Sequence, residues 1–335
     1  MGDTSDELDR ALAAHRAGDL GAAEAIYLTI LENRSAAFNL AVLYGAQGRH
    51  ADAERLLRPL VEADPGWAPA CNALGKQLLM QGRYAEGWPL YEGRRSDPAI
   101  PRLTLPEWKG DDLAGRHVVV MGEQGFGDQL MFARFLQPLR ARAGRVSLVI
   151  GTAMAPLLRH LDMDVIAARA DAKLPIGDCW TLICSLPGLT GVTLETLPPP
   201  VRLDVPLGAG GGVGVVTKGR PTHYNDAHRS LDPAAAARLL ALGCDLAPEA
   251  TGARDFRQTA AIIAGLDLVI SVDTAIAHLA ASLGKPTWIL LPAFGTDWRW
   301  MTARTDSPWY PSARLFRQQT PGDWMAVLDR VERTL

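Results

Sequence analysis

Cysteine is scarce. The four in 335 residues, Cys71, Cys179, Cys184 and Cys244, form no Cys-x-x-Cys pair, and no histidine spacing completes a zinc site. They are expected as buried, reduced thiols in a reducing compartment. Charge of one sign is also missing. Lys and Arg number 34 against 37 Asp and Glu, a formal net charge of -3. So even a balance leaves no electrostatic footprint for nucleic acid or an anionic membrane surface. No long uncharged apolar run is present, so no membrane span is expected. The N-terminal stretch MGDTSDELDR is acidic and has no apolar core, so no signal peptide is expected and the protein is placed in the cytoplasm. Neither a Gly-x-Ser-x-Gly elbow nor a Walker loop occurs.

What is present is ordinary globular composition, 48% apolar and 21% charged, in a chain long enough for two or three domains. An internal repeat organises its first part. With Gly18, Gly48 and Gly82 aligned, Ala11, Ala41 and Gly75 fall in register. So do Ala23, Ala53 and Gly87, and Tyr27, Leu57 and Tyr91. The spacings are 30 and 34 residues, near the tetratricopeptide period of about 34. Small residues at matched positions let paired helices approach closely, and each glycine ends the first helix of its unit. Asp64-Pro65 ends the second helix of the middle unit.

Residues 96–115 hold Pro98, Pro101 and Pro106 and read as a linker, with Trp108 anchoring it to a domain. Beyond it strands and helices alternate. His117–Met121, Val146–Ile150 and Trp180–Cys184 read as strands of a first lobe, with a helix over 128–143. Pro198, Pro199, Pro200 and Pro206, then Gly208 to Gly212, mark the boundary between lobes. In the second lobe, strands are expected at 213–217, 268–272 and 287–291. Helices are expected at 232–242, 255–265, 274–283 and 322–334. Such alternation implies two doubly wound parallel sheets.

Four stretches could carry chemistry. Gly122-Glu-Gln-Gly-Phe-Gly-Asp128 joins a strand to a helix. Its freed amides can face an anion at the carboxyl end of the sheet; it can equally be a tight turn whose Asp128 caps the helix. Ser271-Val-Asp-Thr-Ala-Ile-Ala-His278 follows the strongest strand. With Asp273 as N-cap, the helix start offers N–H groups and partial positive charge suited to a diphosphate. His278, four residues after Thr274, shares its face; otherwise Asp273 is a plain cap and His278 a packed polar residue. The loop 217–230 gathers Lys218, Arg220, His223, His228 and Arg229. These can offset charge on a leaving diphosphate, or they form a solvated polar loop. Asp297-Trp-Arg-Trp300 could shape a donor pocket through Asp297 and Arg299, whereas Trp300 and Trp309 read as packing between lobes. Asp162-Met-Asp164 reads as a polar turn, and no metal is expected.

Further strings carry a family resemblance. Glu123 to Asp128, Arg229-Ser230, Asp267 to Asp273, Ala277-His-Leu-Ala280, Gly284-Lys-Pro286, Asp297 to Trp300 and Ser307-Pro-Trp-Tyr-Pro311 resemble bacterial tetratricopeptide proteins with a heptosyltransferase-like module. Tyr91-Glu92 and Trp108-Lys-Gly110 match the usual junction of such proteins. The resemblance implies a short helical array at 1–98, a linker at 99–115, and a GT-B pair of Rossmann-like lobes at 116–207 (acceptor side) and 208–335 (donor side). It implies an inverting, metal-independent glycosyltransferase that takes a nucleotide sugar as substrate and needs no cofactor. Asp128 would be the general base, in an acceptor-side loop with Glu123, Gln124, Gly125 and Gly127. Lys218, Arg229, Asp273, Thr274, Ala275 and His278 would bind the donor diphosphate. The acceptor would be a protein of the flagellin type, held by the repeats. Two departures stand out. Thr217-Lys218-Gly219 replaces the family's Trp-x-Gly, and residues 242–254 are short for a strand and loop. They motivate the alternative of a non-catalytic repeat scaffold with a degenerate module. A lipopolysaccharide or other glycan acceptor is a third reading.

Overall fold

The computed structural model describes residues 4–205, 208 and 210–335. Met1, Gly2 and Asp3, and Pro206, Leu207 and Ala209 of the expected lobe boundary, lie outside the described residues. The chain divides into two compact units. One is Met1–Pro98 with Ala293–Ala303, and the other is Ala99–Pro292 with Arg304–Leu335.

The first unit contains α1 (Thr4–Arg16), α2 (Leu20–Thr29), α3 (Arg34–Ala46), α4 (His50–Ala63), α5 (Ala68–Met80) and α6 (Tyr84–Tyr91). They pack as three successive pairs among the described residues. The glycine after the first helix of each pair is left-handed: Gly18 has φ 81°, Gly48 77° and Gly82 81°. Side chains with a Cβ adopt that conformation at a cost, so glycine is the natural stop. The small residues in register are buried where the pairs touch. Ala11, Ala23, Ala41 and Ala53 are fully buried. A Cβ on Gly75 would stand 2.6 Å from the Tyr91 backbone nitrogen. Tyr27, Leu40 and Leu43 fill the core between the first two pairs, each leucine contributing roughly 2 kcal/mol by leaving water.

Placing all of 208–335 in one lobe needs correction. Residues 293–303 belong to the helical unit. The Gly295 N–H donates to the Ala46 carbonyl at 2.8 Å. Trp298 stands edge-on to Trp88 and Tyr91, with ring centroids 5.6 and 5.7 Å away. The reason is apolar area: Phe294 packs against the helical core, Trp298 packs on Trp88 and Tyr91, and both Trp298 and Trp300 are buried. Trp300 thus falls in the helical unit, not in the second lobe.

The second unit holds two sheets. β1 (His117–Met121), β2 (Arg145–Gly151), β3 (Asp164–Ala168) and β4 (Cys179–Leu182) pair in the order β3-β2-β1-β4. β5 (Val213–Val216), β6 (Cys244–Asp245), β7 (Leu268–Val272), β8 (Thr287–Leu291) and β9 (Ala313–Arg317) pair in the order β6-β5-β7-β8-β9. All these pairings are parallel. The helices of the first lobe are α7 (Phe126–Phe132), α8 (Leu136–Arg140), α9 (Ala155–Leu158) and α10 (Leu186–Leu189). Those of the second are α11 (Asp226–Arg229), α12 (Pro233–Leu240), α13 (Pro248–Thr251), α14 (Phe256–Ala264), α15 (Ala275–Ser282) and α16 (Trp324–Glu332). Central strands are buried along their length, as β7 is at every residue, which is the continuous apolar run a covered parallel sheet requires.

The expected helix over 128–143 is broken into α7, a 3-10 turn at Ala133–Phe135, and α8. Pro138 has no N–H to give the Arg134 carbonyl, so the α-helical ladder cannot run through. The linker is tied down as expected. Trp108 is 1% exposed, and its N–H donates to the Trp180 carbonyl on β4 at 2.8 Å. The short segment 242–254 forms only the two-residue edge strand β6 and α13. That exposes Cys244, whereas the other three cysteines are buried. Among the described residues no helix is long and apolar enough to cross a membrane.

Candidate functional site

The turn after β1 and the turn after β7 meet within the second unit. In the first, Gln124 is one of the few non-glycine residues with positive φ, at 58°. Its neighbour Gln129, 6% exposed, clamps it. The Gln129 Nε2 donates to the Gln124 carbonyl at 3.3 Å, and its Oε1 accepts from the Gly151 N–H at 3.2 Å. The amide fits because Gly122 and Gly151 lack side chains: a Cβ on either would stand 3.3 Å from Oε1. Asp128 turns back on the loop, its Oδ2 accepting from the Gly125 N–H at 3.0 Å. It thereby caps the start of α7, as its carboxylate should near a helix N-terminus. Glu123 is buried, and its Oε1 accepts from the Cys184 N–H at 3.3 Å.

In the second turn the expected cap moves by one residue. Thr274, in extended conformation, is the N-cap of α15, and Asp273 precedes it. Strand β7 ends at Val272, so two residues are needed to turn into the helix. The Ser271 hydroxyl lies 3.1 Å from the Thr274 hydroxyl, while Thr274, Ala275 and Ile276 stay half-buried and reachable by solvent. The leading amides of the helix have no acceptor within it. Arg229 reaches across, donating from Nη1 to the Asp273 carbonyl at 2.8 Å and from Nε to Asp226 Oδ1 at 3.1 Å. It acts as a brace on the turn. Lys218, by contrast, is exposed at the end of β5.

His278 joins the two turns. It is 5% exposed, with Nδ1 at 2.9 Å from the Tyr310 hydroxyl and Nε2 at 3.9 Å from Asp273 Oδ1. The far side of its ring abuts α7, where a Cβ on Gly127 would stand 2.7 Å from His278 Cδ2. Phe126 and Phe256 cross edge-on at 5.2 Å. Arg134 seals the contact, donating from Nη2 to the Trp309 carbonyl at 2.6 Å and from Nη1 to the Pro198 carbonyl at 3.1 Å. Trp309 packs against Phe132 and Phe135, the inter-lobe role expected of it.

The structure thus brings together Glu123, Gln124, Gly125, Gly127 and Asp128 with Arg229, Asp273, Thr274, Ala275 and His278. Asp297 and Arg299 lie in the other unit. There the Arg299 Nη1 donates to Asp297 Oδ1 at 2.7 Å. Burial works to raise the Asp297 pKa, but the Arg299 guanidinium and N–H outweigh it and hold the carboxyl below its usual range. Asp162 and Asp164 face different arginines, Arg140 and Arg145, at 3.1 and 2.8 Å. Sequence reasoning missed Gln129 and Arg134, and reached Tyr310 only as part of the Ser307–Pro311 string, without its bond to His278. The first two had a signal, a polar residue and a charge inside the apolar run 130–139 and its entrance.

Part of the chain is similar in sequence to known proteins. Residues 227–318 match the glycosyltransferase family 9 (heptosyltransferase) model. The matched stretch spans α11 to β9 and so includes Arg229, Asp273 and the whole of α15. Protein FlbA of Caulobacter vibrioides is 29% identical over 327 residues, covering 77% of this chain and 53% of that protein. The chain therefore spans about half the length of that curated relative. Among solved structures, the dodecameric iron-containing glycosyltransferase TibC from enterotoxigenic E. coli is 14% identical, covering 67% of this chain and 78% of that one, with a TM-score of 0.44. E. coli ADP-heptose lipopolysaccharide heptosyltransferase II is 15% identical, covering 65% and 98%, with a TM-score of 0.40.

Proposed function

We propose that the second unit moves a sugar from a nucleotide-sugar donor to an acceptor hydroxyl by an inverting, metal-independent route. The observation that carries this is the meeting of Gly127 with His278, which sets the Asp128 turn of one sheet against the Thr274 helix start of the other. The match of residues 227–318 to glycosyltransferase family 9 supports it. Asp128 accepts the proton of the attacking hydroxyl. The bond from the anomeric carbon to the diphosphate breaks as the new glycosidic bond forms. The nucleoside diphosphate leaves toward the amides at Thr274 to Ile276, with Lys218 offsetting its charge. Arg229 keeps that turn in place. The reading calls for no cofactor and places the protein in the cytoplasm.

The three helix pairs are read as tetratricopeptide-like repeats that recruit a protein acceptor, of the flagellin type by the resemblance noted in the sequence. A panel of nucleotide sugars with candidate acceptors tests the chemistry. Turnover by wild type should fall about 10²–10⁴-fold in Asp128→Asn, with nucleoside diphosphate binding kept. Undiminished turnover in that variant rejects Asp128 as base. Deleting helices is a poor test of the acceptor, because it uncovers Trp298 and Trp300. Direct comparison of protein and glycan acceptors separates the protein reading from a lipopolysaccharide one.

A second reading, a non-catalytic scaffold, is favoured by the two-residue β6. Calorimetry with ADP, UDP and GDP discriminates. Micromolar binding that is lost on combining Lys218→Ala with His278→Ala counts against a pure scaffold.

A further inference from the structure

We propose that residues 293–303 are a built-in peptide ligand of the helical unit, closing the face where α3, α5 and α6 receive them to exogenous peptides. Three independent observations support this. The main chain is recognised, because the Gly295 N–H bonds the carbonyl of Ala46 at the end of α3. The side chains are recognised, because Trp298 sits edge-on to Trp88 and Tyr91 at centroid distances favourable for aromatic pairs. The backbone is held in sparsely populated conformations. Gly295 has φ 68°, and Met301 and Ala303, with φ 54° and 52°, account for two of the three left-handed non-glycine residues described. Such conformations persist only where the surroundings over-determine them.

The segment is pre-shaped for this role. Asp297 Oδ1 accepts from the Arg299 N–H at 3.0 Å and from its Nη1 at 2.7 Å. These bonds wind Trp298–Trp300 into a single 3-10 turn, with the Trp298 indole against Trp88 and Tyr91. The Arg299 guanidinium lies 4.7 Å over the Trp298 ring. A glycine and an aromatic of the segment are thus read through a main-chain bond and edge-on rings. Here the peptide is continuous with the chain that forms β8 and β9. An acceptor protein recruited by the repeats must then engage the faces that this segment leaves open.

The test uses the full chain and two separate variants, Trp298→Ala and Gly295→Ala. The second leaves every ring in place, and strains the backbone because alanine resists φ 68°. Amide exchange is read for 34–46 and 68–91, with 268–272 as internal control. A dye-labelled synthetic peptide of residues 293–303 is titrated in parallel. Exchange in the helical segments should rise about tenfold in both variants with the control unchanged, and the peptide should bind the variants and not wild type. If Trp298→Ala fails to fold, Gly295→Ala carries the test. Unchanged helical exchange in Gly295→Ala overturns the proposal, as does a wild-type protein that takes the peptide as tightly as the variants.

Discussion

The hydroxyl of Tyr310 stands 2.9 Å from Nδ1 of His278, and both side chains are buried. With the Asp273 carboxylate 3.9 Å away on the Nε2 side of the ring, a proton on Nε2 faces that charge and leaves Nδ1 to accept from the Tyr310 hydroxyl. Tyr310→Phe removes that donor and keeps the ring. It should lower stability by about 1–3 kcal/mol, the cost of an unmet buried acceptor. It should also weaken ADP, UDP or GDP binding, since His278 is then free to tilt away from the Thr274 turn. Denaturant melts and calorimetry check the two effects separately.

Gly127 tolerates no side chain against that same ring. Gly127→Ala places a methyl 2.7 Å from His278 Cδ2, so the buried ring or the helix must shift. We expect a loss of about 1–3 kcal/mol from overpacking. Phe126→Leu, on a half-exposed neighbour, serves as the mild control. An equal loss in both variants rejects the close approach.

On the proposed transfer chemistry, Gln129 should affect turnover without touching substrate. Gln129→Leu removes both bonds that hold the Gln124 turn. Stability should fall by about 1–3 kcal/mol, and turnover should fall while nucleotide affinity holds, because only the acceptor side is loosened. Gln129→Glu keeps the acceptor for the Gly151 N–H but loses the donor, and should show an intermediate defect. Parallel loss of kcat and nucleotide affinity contradicts this assignment.

Acid should weaken the helical unit first. Burial holds His15 and His50 below the usual imidazole pKa, only partly opposed at His50 by its bond to Gln77. A histidine with a depressed folded pKa sheds its proton on folding, so the unfolded chain binds more protons at low pH. Stability contributed by neutral His50 is therefore full well above the unfolded value of about 6.5 and declines as pH drops below it. Protection of the amides in 34–80, referred to the intrinsic exchange rate at each pH, should fall between about pH 7.5 and 5.5, and His50→Gln should flatten the trend. No change across that window rejects it.

The legible parts of the fold were those set by local chemistry. β1, β7 and β8 were visible as apolar runs ending in turns, and the helix-pair stops as recurring glycines. β3 and β9 were not, because edge strands such as Ala-Arg-Leu-Phe-Arg mix charge with apolar residues and gain their register from a partner strand. The Asp128 and Thr274 turns were legible as strand-to-helix junctions. Gln129 and Arg134 make their decisive contacts 22 and 175 residues away, and no spacing encodes that. The placement of 293–303 was hidden for the same reason: Trp298 and Trp300 announce a need for burial, not the core that meets it.

The passage of the chain through the helical core and back has a consequence for inheritance. Modules that meet at one junction are exchanged in a single recombination event. Here a graft at 98 and 99 would bring in foreign helices with no cavity matched to two indoles supplied from two hundred residues downstream. The helical unit and the two-sheet unit are thus bound to diversify as one lineage, changing step by step at Gly295, Trp298 and Trp88 together.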